Sequence, residues 1–160
     1  MSSRKKVIVR KFSRDWLSGY VEPQGFARDG RLELLDPTGK VTELMLREIK
    51  MVCFVRDFFP NDPANPERLA RRAFSTRPRM AGLWVRLHFR DGDQLEGMAN
   101  NDLSLLDPEG IQITPPDTRS NTQRVFVPRN ALEALQIMAV IGVGTRRKVK
   151  DAAQERLFAS

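Results

Sequence analysis

Apolar and polar residues alternate along residues 83–90, in the C-terminal half of the chain. The apolar positions of this segment are Leu83, Val85, Leu87 and Phe89. A period of two with aromatic and branched side chains is typical of a strand that buries one face. Asp91-Gly92 follows directly and predicts a hairpin turn, because glycine tolerates a positive φ. The chain is then expected to return as a second strand over residues 94–98.

Similar short apolar segments, separated by turn residues, continue through both halves. In the C-terminal half they predict strands at residues 103–106, 111–113 and 124–127, a break at 128–130, and a last strand or short helix at 135–141. In the N-terminal half they predict strands at residues 7–12, 16–21, 32–35, 41–46 and 51–55, with a break at 47–48. The pattern therefore indicates an all-β chain.

The two halves resemble each other in sequence. Leu32-Glu-Leu-Leu-Asp-Pro-Thr-Gly39 matches Leu103-Ser-Leu-Leu-Asp-Pro-Glu-Gly110 in six of eight places, and Leu17-Ser-Gly19 matches Leu95-Glu-Gly97. The matches occur in the same order in both halves, which indicates an internal repeat. A unit of this size is marginal alone, so we expect two similar small barrels that pack on each other.

The repeat and the proline content divide the chain into four parts. We expect a first barrel over residues 1–58 and a second over residues 81–143. Between them, residues 59–80 form a proline-rich connector, with a short helix predicted at 67–74 because Pro66 suits the first turn of a helix. Residues 144–160 are expected to be a basic C-terminal helix or tail.

The amino-acid composition excludes some kinds of structural site. The chain has 160 residues, a formal charge of +7, one Cys and one His. The single cysteine excludes a disulfide framework, and with the single histidine it excludes a structural zinc site of the usual Cys/His kind. No signal peptide or membrane-spanning run is recognised, so we expect a cytoplasmic protein without a membrane partner.

Basic residues are concentrated near both ends and near the connector, with clusters in residues 1–11, 68–79 and 144–150. Such clusters attract phosphate, although basic ends are often only solvated tails. The polar face of residues 83–90 carries Arg86, His88 and Arg90, which indicates either a phosphate-binding stripe or an ordinary solvated face.

Each half resembles the small five-stranded barrel of the Sm-like family. The best stretch is Leu95-Glu-Gly-Met-Ala-Asn-Asn-Asp-Leu-Ser-Leu-Leu-Asp107. In that family an Asn/Asp loop and a later basic segment line an RNA-binding pore. The resemblance implies this role for Asn100, Asn101 and Arg129 in the second half, and for Arg47 in the first. The resulting fold is two tandem Sm-like barrels.

The polar loop of residues 114–124 is the main insertion that breaks the repeat. It carries Arg119 and Arg124 among small hydroxyl and amide side chains, a composition suited to phosphate recognition. No phosphate-binding glycine loop, paired carboxylate motif or nucleophile elbow is found. We therefore expect a non-enzymatic binding module for RNA or another phosphate-rich partner, without catalytic residues, metal or cofactor.

Two alternatives remain open. PilZ domains bind cyclic di-GMP through Arg-x-x-x-Arg and a later Asp/Asn-x-Ser motif. Arg68 and Arg72 resemble the first element, and Asp102 and Ser104 resemble the second, which implies a nucleotide site. The other alternative is a protein-assembly adaptor or homo-oligomer, because small barrels expose edge strands that pair with neighbours.

Overall fold

The computed structural model describes residues 4–58, 71–116 and 121–142. In the N-terminal half the strands are β1 (Lys5–Lys11), β2 (Trp16–Val21), β3 (Ala27–Arg28), β4 (Arg31–Leu35), β5 (Val41–Met45) and β6 (Ile49–Val55). In the C-terminal half they are β7 (Gly82–Phe89), β8 (Gln94–Ala99), β9 (Gly110–Ile113), β10 (Thr122–Pro128) and β11 (Leu132–Ile141). Short 3-10 segments cover Leu46–Glu48, Leu103–Leu106 and Arg129–Ala131. The described ranges contain no α-helix, so the all-β prediction is confirmed.

The alternation predicted for β7 appears in its burial. Its four apolar side chains are buried, and the residues between them are partly exposed. The segment that could have been a strand or a short helix is a strand, β11, which pairs with β7 along its length.

The strand pairs of the described residues are all antiparallel and fall into two sheets. One sheet has the order β3-β4-β2-β1-β6-β10-β9, and β5 also pairs with β4 in this sheet. The other sheet has the order β11-β7-β8. A single bridge between Met98 and Thr114 connects β8 to β9. The second unit therefore follows the order β11-β7-β8-β9-β10, and the first follows β6-β1-β2-β4-β5.

The backbone pairing of the two units is equivalent in detail. In the first unit Lys11 pairs with Ile49 and Arg10 with Met51, so a bulge in β6 skips one residue. In the second unit Phe89 pairs with Leu132 and His88 with Ala134, so a bulge in β11 skips one residue as well. The Phe12 amide donates to the Glu48 carbonyl, just as the Arg90 amide donates to the Ala131 carbonyl. The same bulge in the same place establishes a structural duplication, in which β1, β2, β4, β5 and β6 correspond to β7, β8, β9, β10 and β11.

The longest sequence match between the halves does not join equivalent elements. Leu32–Leu35 belongs to β4, whereas Leu103–Leu106 is a 3-10 turn and not the predicted strand. The side chain of Asp102 caps that turn by accepting a hydrogen bond from the Ser104 amide at 2.9 Å. The structural equivalent of β4 is β9, which begins only at Gly110.

Neither unit closes into the predicted barrel. The strand that would close the first unit, β6, pairs with β10 of the second unit instead of with β5. Because β10 already pairs with β6, it does not pair with β11 and close the second unit. One edge of each unit, β6 or β10, is used to join the units, and the sheets stay open.

The hydrophobic core consists of two clusters that share β6. Ile49 and Val52 face the cluster formed mainly by the first unit, while Met51, Cys53 and Val55 face the cluster of the second. Because both faces of β6 are covered, nearly every side chain of this strand is buried. Cys53, which lies at the centre of this strand, is 0% exposed.

Several predictions concern residues outside the described ranges. Residues 59–70, most of the predicted connector, and residues 143–160, the predicted C-terminal helix or tail, belong to this group. Residues 71–74, the end of the predicted connector helix, are described and are not helical. The proposed domain boundaries therefore remain predictions.

Candidate nucleic-acid interface

An open groove of about 300 Å³ lies over the joint between the two units. It is lined by Lys5, Pro23, Phe54, Gln112, Gln123 and Arg124. These residues come from β1, the loop after β2, β6, β9 and β10, so the groove exists only because β6 pairs with β10.

Strand register explains why these side chains meet. Val7 and Arg124 both pair with Phe54, from opposite sides of β6, and Gln112 pairs with Phe126 on the neighbouring strands. Paired residues point to the same face of a sheet. Phe54, Arg124 and Gln112 therefore share the face that carries the first hydrophobic cluster, at the margin of that cluster.

The groove is basic and is lined by one aromatic side chain among the described residues. Lys5 and Arg124 are exposed, and neither forms an ion pair with a described residue. The described residues that line it include no acid. The Phe54 ring is half-buried and packs edge-on against Phe26, with ring centroids 5.6 Å apart. This combination suits a ligand that has both negative charge and a flat ring.

Polar side chains extend the groove on one side. Arg124 Nη1 donates to Gln112 Oε1 at 3.3 Å. These two side chains also line an adjoining cavity of about 80 Å³, together with Asn100 and the end of β9. The structure therefore brings together Asn100 and Arg124, two of the residues singled out from the sequence.

The other residues implied by the Sm-like resemblance do not line this groove. Arg129 donates to the carbonyl oxygens of Leu105 and Asp107, so its guanidinium holds the 3-10 turn in place. Arg47 and Asn101 are exposed but lie outside the groove lining. Arg119 lies outside the described residues.

The residues of the nucleotide alternative have structural roles where they are described. Hydrogen bonds from the Ser104 side chain and amide hold the pKa of Asp102 below its ordinary value, as expected for a capping carboxylate. The Arg72 carbonyl accepts a hydrogen bond from the Glu96 amide. Arg68 lies outside the described ranges, so the convergence of this group stays a prediction.

The polar face of β7 is not an open basic stripe. Arg86 forms an ion pair with Glu96 at 2.9 Å, and His88 lies 3.3 Å from the side-chain oxygen of Gln136. The Arg90 guanidinium stacks 3.8 Å from the centre of the Phe12 ring and donates to the Arg47 carbonyl. This face therefore holds structural contacts, which neither of the two interpretations predicted.

Four groove residues, Lys5, Pro23, Phe54 and Gln112, were not predicted from the sequence. Lys5 belongs to a basic N-terminal cluster that was equally consistent with a solvated tail. Phe54 stands in an apolar strand, where an aromatic residue indicates only packing. These residues come together because β6 pairs with β10. No local pattern in the sequence predicts that pairing.

Within the described parts of the chain, no group of three or more His, Cys, Asp or Glu residues could hold a metal ion. A membrane-spanning helix is likewise not found among the residues that were placed.

The fold and the groove define an all-β protein that is built from two equivalent open-sheet units with a basic groove at their joint. The chain belongs to a family of unknown function, DUF6982, whose sequence model matches residues 3–139. No curated protein and no solved structure matches the chain.

Proposed function

We propose that this protein is a non-enzymatic binding module that holds single-stranded RNA in the groove between its two units. The observation that carries the proposal is that Phe54 lies on the strand between those of Lys5 and Arg124, with no acid among the described residues that line the groove. Single-stranded nucleic acid is typically bound by cations that contact phosphate and by an aromatic ring on which a base stacks.

The size and surroundings of the groove favour a short element of a single strand. Ligand sites generally measure roughly 300–1,000 Å³, and this groove is at the lower limit. The amides of Gln112 and Gln123 offer donors and acceptors for a base edge or a ribose hydroxyl. The neighbouring cavity at Asn100 would accept an adjacent phosphate or sugar.

The resemblance to Sm-like proteins supports this proposal through strand order. The second unit, β11-β7-β8-β9-β10, has five strands with the last beside the first, and Asn100 follows its second strand directly. On this interpretation the units are Sm-like strands that open to join each other, and Asn100 keeps the RNA-facing role that the resemblance implies.

The proposal is tested by fluorescence anisotropy with a labelled short single-stranded RNA at low salt. We expect Arg124→Ala and Lys5→Ala to weaken binding by about five- to tenfold each. Each should also reduce the slope of log affinity against log salt concentration by about one, which corresponds to one lost phosphate contact. Phe54→Leu should also weaken binding, because it keeps an apolar side chain but removes the stacking surface.

Arg31→Ala is the matched control, because Arg31 is an exposed arginine that borders an acid-lined surface with Glu33 and Glu43. The absence of binding by the wild-type protein at low salt, or equal losses in Arg31→Ala and Arg124→Ala, would contradict the proposal. Calorimetry with cyclic di-GMP tests the nucleotide alternative: heat that is lost in Arg72→Ala and kept in Arg124→Ala would favour that function instead.

A further inference from the structure

The joint between the two units uses one edge of each and leaves two complementary edges. Within the described residues, β6 has strand neighbours on both sides, β1 and β10, and β10 has β6 and β9. Among the described residues their equivalents have one neighbour each: β11 pairs with β7, and β5 pairs with β4. The first unit thus ends in an edge equivalent to β10, and the second ends in an edge equivalent to β6.

Both of these edges expose large apolar side chains. Val41 of β5 is 59% exposed, and Ile137 and Val140 of β11 are 53% and 61% exposed. The sequence of β11, LEALQIMAVI, has only two polar residues, as in a strand that is buried on both faces. Its equivalent β6 is buried almost throughout, because β10 and both hydrophobic clusters cover it. The composition of β11 is therefore that of a covered strand.

The register of the internal joint can be transferred to these edges. In the joint, Arg124 pairs with Phe54, Val125 with Cys53 and Phe126 with Val52. The equivalent positions, obtained from the pairing that the two units share, set Val41 opposite Ile137, Thr42 opposite Gln136 and Glu43 opposite Leu135. The transferred register places the exposed apolar side chain of β5 directly against one of those of β11, and it opposes no like charges.

We propose that copies of this chain associate head to tail, with β11 of one copy pairing with β5 of the next. The new joint repeats the one already present between β6 and β10. It buries Val41 and Ile137 and supplies hydrogen-bond partners to the two open strand edges. Because the two surfaces differ, the interface is heterologous and produces a ring if the rotation closes, or a filament if it does not.

This assembly has a consequence for the basic groove. At the new joint Val41 occupies the place of Arg124, and Ile137 occupies the place of Phe54. The joint between copies is thus apolar where the internal joint is basic and aromatic. Each chain contributes one basic groove to the assembly, whatever the number of copies.

The test is sedimentation velocity of the full-length protein over a wide range of concentration. We expect the wild type to exceed the monomer mass as its concentration rises. Val41→Lys and Ile137→Lys should each remain monomeric, because a charged side chain at an edge blocks strand pairing. Leu103→Lys changes an exposed apolar residue away from both edges, 81% exposed, and should associate like the wild type.

Mixing the two blocked variants tests the head-to-tail arrangement. Val41→Lys retains an intact β11 and Ile137→Lys retains an intact β5, so the mixture should form a dimer that neither variant forms alone. Matching circular dichroism and thermal midpoints would establish that the variants fold.

A monomeric wild type at every concentration would overturn the proposal. Association that survives Val41→Lys would overturn it in favour of a symmetric contact through β11. Failure of the mixture to dimerise would also contradict it.

Discussion

At the scale of single residues, two buried charges hold segments together. Lys50 of β6 donates to Asp91 at 2.6 Å and to Asp93 at 2.5 Å, in the hairpin turn of the second unit. Glu96 of β8 accepts from the Trp84 indole and the Phe74 amide, both at 3.0 Å, and forms an ion pair with Arg86. Buried charges of this kind are tolerated because each has several partners. Removing one partner leaves a buried charge that is no longer fully compensated for its loss of water.

The carboxylate of Glu96 predicts both a mutational effect and a pH effect. Burial opposes its ionisation, but hydrogen bonds from the Phe74 amide, Arg86 and Trp84 outweigh burial, so the pKa of Glu96 lies below its ordinary value. The unfolded chain has the ordinary, higher pKa. This contribution to stability is therefore complete above the ordinary pKa and is lost as the pH falls through the folded-state pKa.

We expect Glu96→Gln to lower the free energy of unfolding at neutral pH by about 2–4 kcal/mol, because an amide cannot accept from all of these donors. Urea unfolding at neutral and acid pH measures the loss, which should shrink as the pH falls. Glu22→Gln is the control, since Glu22 is 47% exposed in its pair with Arg4. A change for Glu96→Gln no larger than that of the control would refute this account of the carboxylate.

Sequence reasoning identified part of the groove at the residue scale. Arg124 was predicted because arginine among small hydroxyl and amide side chains suits phosphate recognition, and Asn100 because it lies in a motif that resembles a known RNA-binding loop. Arg129 was selected on similar grounds, yet it binds backbone carbonyls. An arginine in a basic chain carries the same local signal whether it contacts a ligand or the backbone, so only its neighbours in three dimensions decide.

At the scale of elements, two equivalent pairs of strands approach each other unusually closely: β2 and β4 in the first unit, and β8 and β9 in the second. A Cβ atom at Gly19 would lie 2.6 Å from the Leu35 carbonyl oxygen, and one at the equivalent Gly97 would lie 3.0 Å from the Thr114 carbonyl oxygen. The match between Leu17-Ser-Gly19 and Leu95-Glu-Gly97 thus marks a structural requirement of the duplicated unit, the approach of β2 to β4 and of β8 to β9.

This close approach predicts that Gly19→Ala destabilises the protein. The contact is with backbone, which cannot move aside as a flexible side chain would, so we expect a loss of about 1–3 kcal/mol. Gly142→Ala should be nearly neutral, because no described residue lies within 4 Å of a Cβ at that position. Thermal unfolding of the two variants beside the wild type provides the comparison; equal midpoints would show that the strands can separate without cost.

Strand positions were largely predictable because burial of one face imposes a period of two. The exception, residues 103–106, shows the limit of this signal. Its leucines resemble those of β4, but Leu103 and Leu106 are 81% and 74% exposed. The Asp102 cap and the backbone contacts of Arg129 form a turn there, so an apolar run alone does not distinguish a strand from an exposed turn.

At the scale of the whole molecule, the duplication was visible in the sequence but the way the units join was not. Two self-contained barrels were expected because each half carries a full set of strands. The structure instead pairs β6 with β10, which are distant in the chain, and keeps both units open. The edge left on each unit has no marker in the local pattern, apart from the apolar composition of β11.

The central claim is that the two units are equivalent and leave matching edges, β5 and β11, for other copies of the chain. Hydrogen–deuterium exchange of the full-length protein at low and high concentration tests it most directly, since amides at an open strand edge exchange rapidly until they are paired. The account predicts that protection of β5 and β11 rises together with concentration, while protection of β6 and β10 stays constant. Exchange at β5 and β11 that does not change with concentration would contradict it.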